Sequence, residues 1–176
     1  MTERIIIAGS GGQGIMLVGK ILAQAAMAEG KFVTWLPAYG AEVRGGTAHC
    51  MIVISESEIG SPRIEKADTI IIMNQPSLAK FKTRLKEKGL LIVNSSLAKA
   101  ETATKAVKHP FTDIAVELGN IKVANMVALG CLLENKKVVT VKSILNIIKE
   151  MALAGREDLL QVNQDALERG VRLGNG

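Results

Sequence analysis

Three glycines, Gly9, Gly11 and Gly14, stand at the spacing G-x-G-x-x-G inside the run Gly9-Ser-Gly-Gly-Gln-Gly14. Glycine at these places permits a tight turn, lets a ligand approach the backbone, and lets a helix pack closely on a strand. The chemistry open to such a run is anion capture, because N–H groups at a helix start lack intrahelical partners and sit at the positive end of the helix dipole. Gly11, Gly12, Gln13 and Gly14 would present those groups. On the residues alone two readings stay open: a ligand-holding loop, and a tight turn that holds nothing. A dinucleotide also needs an acidic residue closing the second strand, to take the ribose hydroxyls. That strand closes on Thr34, Trp35 and Leu36, and the nearest acids, Glu29 and Glu42, miss the position. Gly14 to Lys20 fits G-x-x-x-x-G-K as well, but Ile21 replaces the magnesium-holding hydroxyl, and Ile, Met, Leu and Val fill the interval. Those residues belong inside a helix, so a phosphate-cradling P-loop is excluded.

A second set lies between Pro37 and Thr47. It holds the only tyrosine, Tyr39, three glycines (Gly40, Gly45 and Gly46), one acid, Glu42, and one guanidinium, Arg44. The only tryptophan, Trp35, comes two residues before Pro37. In a chain with 3% aromatic residues, that concentration points beyond core packing. Arg44 offers a rigid fork for carboxylate or phosphate. The loop is expected to leave the carboxyl end of the second strand beside the glycine loop, on the rim where open α/β sheets bind ligands. A surface loop with a solvated Glu42–Arg44 pair is the plain alternative. Asn74, in Asn74-Gln-Pro-Ser77, follows another strand and would reach the same rim. It would serve either a ligand or as a helix cap with Pro76 in the first turn. Asn94-Ser-Ser96 carries the same two readings.

Other chemistry is missing. There is no G-x-S-x-G elbow and no closely spaced carboxylate couple. His49 and His109 lie far apart without clustered partners, so no catalytic residue and no metal ligand is assigned. Cys50 and Cys131 are the only cysteines and form no C-x-x-C, which leaves no cysteine-rich zinc site or iron–sulfur cluster that this chain could build alone. Isolated thiols and an N-terminus that enters a strand at once, with no room for a signal peptide, suggest a reducing cytoplasm. No apolar run reaches the roughly 18 residues of a membrane span. Net charge is +5, compatible with anionic small ligands, but there is neither an Arg-rich tract nor a set of spaced aromatics for nucleic acid.

The elements that must position these residues follow from periodicity. Ile5, Ile6 and Ile7 read as a buried strand, and Gln13 to Glu29 as a helix burying Ile15, Val18, Leu22, Ala25 and Ala26, stopped by Gly30. Strands are expected at Lys31–Leu36 (broken by Pro37), His49–Ile54, Thr69–Met73 and Leu90–Val93, with a short edge strand near Lys105–Lys108. A helix from Asn74 to about Lys88 would bury Leu78, Phe81 and Leu85 and surround them with a solvated face of Lys80, Lys82, Arg84, Lys86 and Lys88. A helical turn at Thr112–Glu117, a buried helix at Asn120–Glu134, a helix capped by Thr140 and running to Ala154, and a more polar helix at Asp158–Leu173 complete the chain. Strands alternating with helices predict one Rossmann-like α/β domain over residues 1–176, with a mostly parallel sheet flanked by helices.

Four stretches together carry a resemblance: Gly9-Ser-Gly-Gly-Gln-Gly-Ile15, Thr34-Trp-Leu-Pro-Ala-Tyr-Gly-Ala-Glu-Val-Arg-Gly-Gly-Thr47, Ile59-Gly-Ser-Pro62 and Met73-Asn-Gln-Pro-Ser-Leu78. With Val123-Ala-Asn-Met-Val-Ala-Leu-Gly130, they resemble the gamma subunit of 2-oxoacid:ferredoxin oxidoreductases over nearly the whole chain. The resemblance implies a place in an enzyme that decarboxylates a 2-oxoacid on thiamine diphosphate, passes electrons through iron–sulfur clusters to ferredoxin, and transfers the acyl group to coenzyme A. It implies alpha, beta and ferredoxin-like delta subunits as partners, which would hold the thiamine diphosphate and the clusters. The gamma part would face coenzyme A and support assembly. Its phosphates would suit the helix start at Gly11 to Gly14 and the guanidinium of Arg44, within a candidate set of Gly9, Gly11, Gly12, Gln13, Gly14, Tyr39, Glu42, Arg44, Gly45, Gly46 and Asn74. The 2-oxoglutarate type is the nearest in likeness, with pyruvate and branched-chain types also open. A nicotinamide-dependent dehydrogenase and a scaffold module without a small ligand are the rival readings.

Overall fold

The computed structural model describes residues 1–38, 47–100, 106–153, 155 and 157–173. β1 (Thr2–Ser10) carries Ile5, Ile6, Ile7 and Ala8, which are fully or almost fully buried. β-Branched side chains on both faces can be buried together only if the strand is covered on both sides. α1 (Ile15–Ala28) leaves the glycine loop and buries Ile15, Val18, Leu22, Ala25 and Ala26. It leads to β2 (Phe32–Ala38), β3 (Thr47–Ser55) and β4 (Ala67–Ile72). α2 (Gln75–Phe81) precedes β5 (Leu85–Asn94) and β6 (Ala106–His109). α3 (Phe111–Glu117), α4 (Ala124–Asn135), α5 (Val141–Leu153) and α6 (Leu160–Leu173) follow.

The strands form one sheet in the order β2-β3-β1-β4-β5-β6. The pairs β1–β4, β4–β5 and β5–β6 are parallel, while β3 runs antiparallel to both of its neighbours, β1 and β2. One face buries Ile5, Ile7, Cys50, Ile52, Ile71 and Ile92 against α1, α3, α4, α5 and α6. The other buries Ile6, Ala8, Met51, Val53, Ile70, Ile72 and Val93 beneath Leu78 and Phe81 of α2. Side chains alternate between faces along each strand, which divides the Ile5–Ile7 run between the two layers.

Three expectations are corrected. Pro37 does not break the second strand, since β2 continues to Ala38 with Pro37 opposite Cys50. β2 is an edge, where a residue without an N–H is tolerated. The helix after Asn74 stops at Phe81, and after a 3-10 turn at Lys82–Arg84 the chain enters β5 at Leu85. Leu85 therefore belongs to the sheet, with its side chain over Gly89, where an added Cβ would lie 2.6 Å from Leu85 Cδ1. A register shift between Ala67 and Thr69 accommodates this early pairing, and tertiary contact overrides a helix-compatible pattern. The regular part of the buried helix starts at Ala124, after a 3-10 turn at Ile121–Val123. Thr140 does cap α5, accepting a hydrogen bond from Ser143 N at 3.1 Å, and the edge strand expected near Lys108 is β6.

Candidate functional site

The carboxyl ends of β1, β4 and β5 open on one rim, and each brings a sequence-identified residue to it. Within the glycine loop the positions divide by role. A Cβ on Gly9 would stand 2.5 Å from Gln13 Oε1, 2.8 Å from Ile15 Cδ1 and 3.0 Å from Met73 Cβ, so the turn closes only on glycine. Gly14 has φ +70° and would drive a Cβ to 2.1 Å from Asn125 Nδ2, and Gly12 has φ +87°. Both lie in the left-handed region that favours glycine. Gly11 differs, for nothing among the described residues lies within 4 Å of its would-be Cβ. Gly11 and Gly12 are exposed. Among the described residues the N–H groups of Gly11, Gly12, Gly14 and Ile15 have no protein acceptor, and α1 has no side-chain cap.

Gln13 faces inward. Its Oε1 accepts from Ser10 N at 2.8 Å and its Nε2 donates to the Met73 carbonyl at 3.3 Å. That carbonyl also accepts from Asn94 Nδ2 at 3.2 Å, and Asn94 in turn donates to Thr112 Oγ1 at 2.8 Å. One backbone oxygen thus fastens the glycine loop to the ends of β4 and β5. Asn74 accepts from Ser77 N at 3.0 Å and caps α2, with Pro76 in the first turn. Sequence reasoning passed over Asn125, which is 4% exposed and donates to the Gly14 carbonyl at 3.3 Å, while its Oδ1 has no partner. A lone amide in the apolar helix Ala124–Asn135 was the available signal, because a buried polar group must find a partner.

Lys80 was also passed over among the lysines of its helix. Its Nζ donates to Thr47 Oγ1 at 2.9 Å, and Thr47 stands opposite Ser10, so a cation sits at the rim beside the glycine loop. Only the register of α2 against β3 singles it out. His49, two residues further in, stacks on Phe81 with centroids 4.7 Å apart. Burial, with Lys80 and Arg84 nearby, holds its pKa below the usual 6.5 and so disfavours the imidazolium form. Beyond Asn74 the rim opens into a cleft of about 770 Å³, lined in part by Gln75, Lys82, Ser95, Ser96 and Lys99. Tyr39, Glu42, Arg44, Gly45 and Gly46 lie outside the described residues. Their flanks are described: Ala38 ends β2 opposite His49, and Thr47 begins β3 opposite Ser10, both at this rim.

The topology also bears on the dinucleotide alternative. The strand hydrogen-bonded to β1 on the side away from β4 is β3, which runs antiparallel and begins at this rim. The parallel strand end that normally supplies the ribose-binding acid beside β1 does not occur there. What remains at the loop is a set of N–H groups without acceptors among the described residues, with a lysine nearby, suited to an anion.

The family model described as pyruvate ferredoxin/flavodoxin oxidoreductase matches residues 4–173. The chain belongs to this family. The ketoisovalerate oxidoreductase subunit VorA of Methanothermobacter thermautotrophicus is 38% identical over 95% of this chain and 35% of its own length. The 2-oxoglutarate synthase subunit KorC of the same organism is 36% identical over 89% of this chain and 88% of its own. In fold, the gamma subunit of a keto/oxoacid ferredoxin oxidoreductase from Geobacter sulfurreducens superposes with a TM-score of 0.84 at 27% identity, covering 98% of both chains. This chain therefore spans about a third of the VorA relatives' length and most of KorC's.

Membership in this oxidoreductase family raises the question of iron–sulfur clusters, and the two thiols do not fit one. Cys50 lies buried with Sγ 3.7 Å from the Ile15 carbonyl, and Cys131 is buried beside Asn135. Burial pushes both thiols up to about 12, far from the thiolate a cluster requires. Among the described residues no helix is long and apolar enough to cross a membrane.

Proposed function

We propose that this chain is the gamma subunit of a 2-oxoacid:ferredoxin oxidoreductase and gives that enzyme a coenzyme A-facing surface. The enzyme would oxidatively decarboxylate a 2-oxoacid to an acyl-CoA and pass the electrons to ferredoxin. Thiamine diphosphate, which supplies the decarboxylation chemistry, and the iron–sulfur clusters belong in this reading to alpha, beta and ferredoxin-like delta subunits. The observation that carries the coenzyme A assignment is the run of N–H groups at Gly11, Gly12, Gly14 and Ile15 without acceptors among the described residues. A helix start of this kind favours a phosphate. Lys80 adds a positive charge beside it, and Arg44 lies in the connection whose flanks, Ala38 and Thr47, reach the same rim. Gly9, Gln13 and Asn74 act in this scheme by shaping the rim, and Tyr39, Glu42, Gly45 and Gly46 are assigned to coenzyme A with Arg44 from the resemblance alone.

The substrate we favour is 2-oxoglutarate, because KorC matches this chain nearly end to end. Two isolated buried thiols suit a reducing cytoplasm. Reconstitution tests the proposal. The partner subunits with this chain are expected to oxidise 2-oxoglutarate in the presence of coenzyme A, and to lose acyl-CoA formation when it is omitted. Full acyl-CoA formation without this chain refutes the role. Preference for ketoisovalerate in the same assay moves the substrate to the branched-chain class.

A further inference from the structure

The sheet ends in two unlike edges. β6, at one edge, has 4 residues and carries Lys108. Short and charged edges resist pairing with another chain. β2, at the other edge, runs for 7 residues, Phe-Val-Thr-Trp-Leu-Pro-Ala, without a charged side chain. Phe32 is 47% exposed, Trp35 36% and Leu36 37%. We propose that β2 pairs antiparallel with β2 of a second copy of this chain, about a twofold axis at Thr34.

The register follows from Pro37. Proline has no N–H and here stands opposite Cys50 of β3, so position 37 turns its backbone groups away from β3. Those directions alternate along a strand, which gives Val33 and Trp35 the same outward orientation and leaves Thr34 and Leu36 bonded to β3. An axis at Thr34 sets Val33 of each copy opposite Trp35 of the other, and each such pair exchanges two N–H···O bonds. An axis at Trp35 would set Val33 against Pro37 and strand a carbonyl. An axis at Val33 would set Trp35 against Lys31, whose N–H already donates to the Ala26 carbonyl at 3.1 Å. Thr34 is thus the centre at which Val33 and Trp35 of both copies match all their outward donors and acceptors, with only Lys31 and Pro37 at the two ends left unpaired.

Side chains agree with that register. Trp35 meets Val33, an aromatic against a β-branched residue and a favourable cross-strand pair, and Phe32 meets Leu36, apolar against apolar. Thr34 meets Thr34 at a non-hydrogen-bonded position, where side chains come closest. Charge does not oppose the contact: Lys31 would stand opposite Pro37, and its Nζ is held by Glu29 at 3.0 Å. In this register the run is complementary to itself and sets no charge against a like charge.

Light scattering and amide hydrogen exchange on the full chain, from low to high micromolar concentration, test the pairing. The mass is expected to rise from 18.8 kDa toward twice that value. The Val33 and Trp35 amides should gain protection with concentration, while Thr34 and Leu36 stay protected throughout. Val33→Pro removes one outward donor from each copy, two bonds across the axis, and should weaken the dimer about thirtyfold, the effect of losing two net hydrogen bonds. A monomer at every concentration overturns the proposal, and so does a dimer whose Val33 and Trp35 amides ignore concentration. A Val33→Pro variant that dimerises like the parent chain overturns it too. Protection that arises only when partner subunits are added assigns the edge to a different chain and overturns the second copy as occupant. The exchange measurement needs no variant, so the test stands even if Val33→Pro does not fold.

Discussion

The two ends of α1 are finished in opposite ways. At its C-terminal end Glu29 accepts from Thr140 N at 2.7 Å, from Ser143 Oγ at 2.7 Å and from Lys31 Nζ at 3.0 Å, tying the helix to the start of α5. At its N-terminal end Gly14 holds φ +70°, and among the described residues no side chain caps the helix and the first N–H groups have no acceptor. A helix whose fold alone mattered would be capped at both ends, since a cap contributes about 1 kcal/mol. The contrast teaches where a cap has been left out: at the rim where we propose that coenzyme A binds.

Gly14→Ala should have the largest effect on that contrast. It forces a left-handed conformation on a residue with a Cβ, at about 1–2 kcal/mol, and drives that Cβ toward Asn125 Nδ2. A loss of about 2–3 kcal/mol in urea unfolding is expected. A neutral result would mean that the loop is not held in this conformation at all.

Glu29→Gln comes next and probes the opposite end. Burial of the Glu29 carboxylate works to raise its pKa, but hydrogen bonds from the Thr140 N–H, Ser143, Lys31 and the Thr140 hydroxyl outweigh it and bring the value from 4.5 to about 2. A depressed pKa in the folded state gives a stabilisation that is fully present above pH 4.5 and lost as pH falls toward about 2. The variant should be about 1 kcal/mol less stable at neutral pH, the net value of a hydrogen bond at a partly exposed site. The difference from the parent chain should shrink on acidification across that window. A difference that stays constant with pH would show that the carboxylate's charge contributes nothing there.

How far such features were legible beforehand depends on their range. The strand–glycine–helix unit at residues 5–28 could be read because every determinant is local: a β-branched run, then glycines, then an apolar stripe at helical spacing. The Thr140 cap was legible for the same reason. Leu78, Phe81 and Leu85 fit a helical period, and only the sheet shows that β4 claims Leu85 first. Lys80 at Thr47 and Asn125 at Gly14 depend on how separate elements dock, which no local pattern records. The same holds for Gly130 and Gly170, where α4 and α6 cross so closely that a Cβ would lie 2.1 Å from the Leu167 carbonyl and 2.0 Å from the Val127 carbonyl. The position of β3 between β1 and β2 was equally hidden, because a hairpin and a crossover begin with the same strand pattern.

Gly11→Ala should change stability least, and it separates the two reasons for a glycine in this loop. Gly9 and Gly14 are required by the chain's own contacts, whereas the would-be Cβ of Gly11 meets nothing among the described residues. Its φ is not in the positive range, so alanine brings no left-handed strain. Unfolding free energy should therefore stay within about 0.5 kcal/mol of the parent chain, as for a surface change without a named cost. If phosphate approaches the Gly11 N–H, a methyl group at that position blocks it. In the assembled enzyme the KM for coenzyme A should then rise about tenfold, equivalent to one lost charge-assisted hydrogen bond, with the KM for the 2-oxoacid unchanged. An unchanged KM for coenzyme A together with unchanged stability would leave Gly11 without either reason, and the anion would have to be sought elsewhere on the rim. A fall in stability instead would place Gly11 with Gly9 and Gly14, as a glycine the turn itself requires.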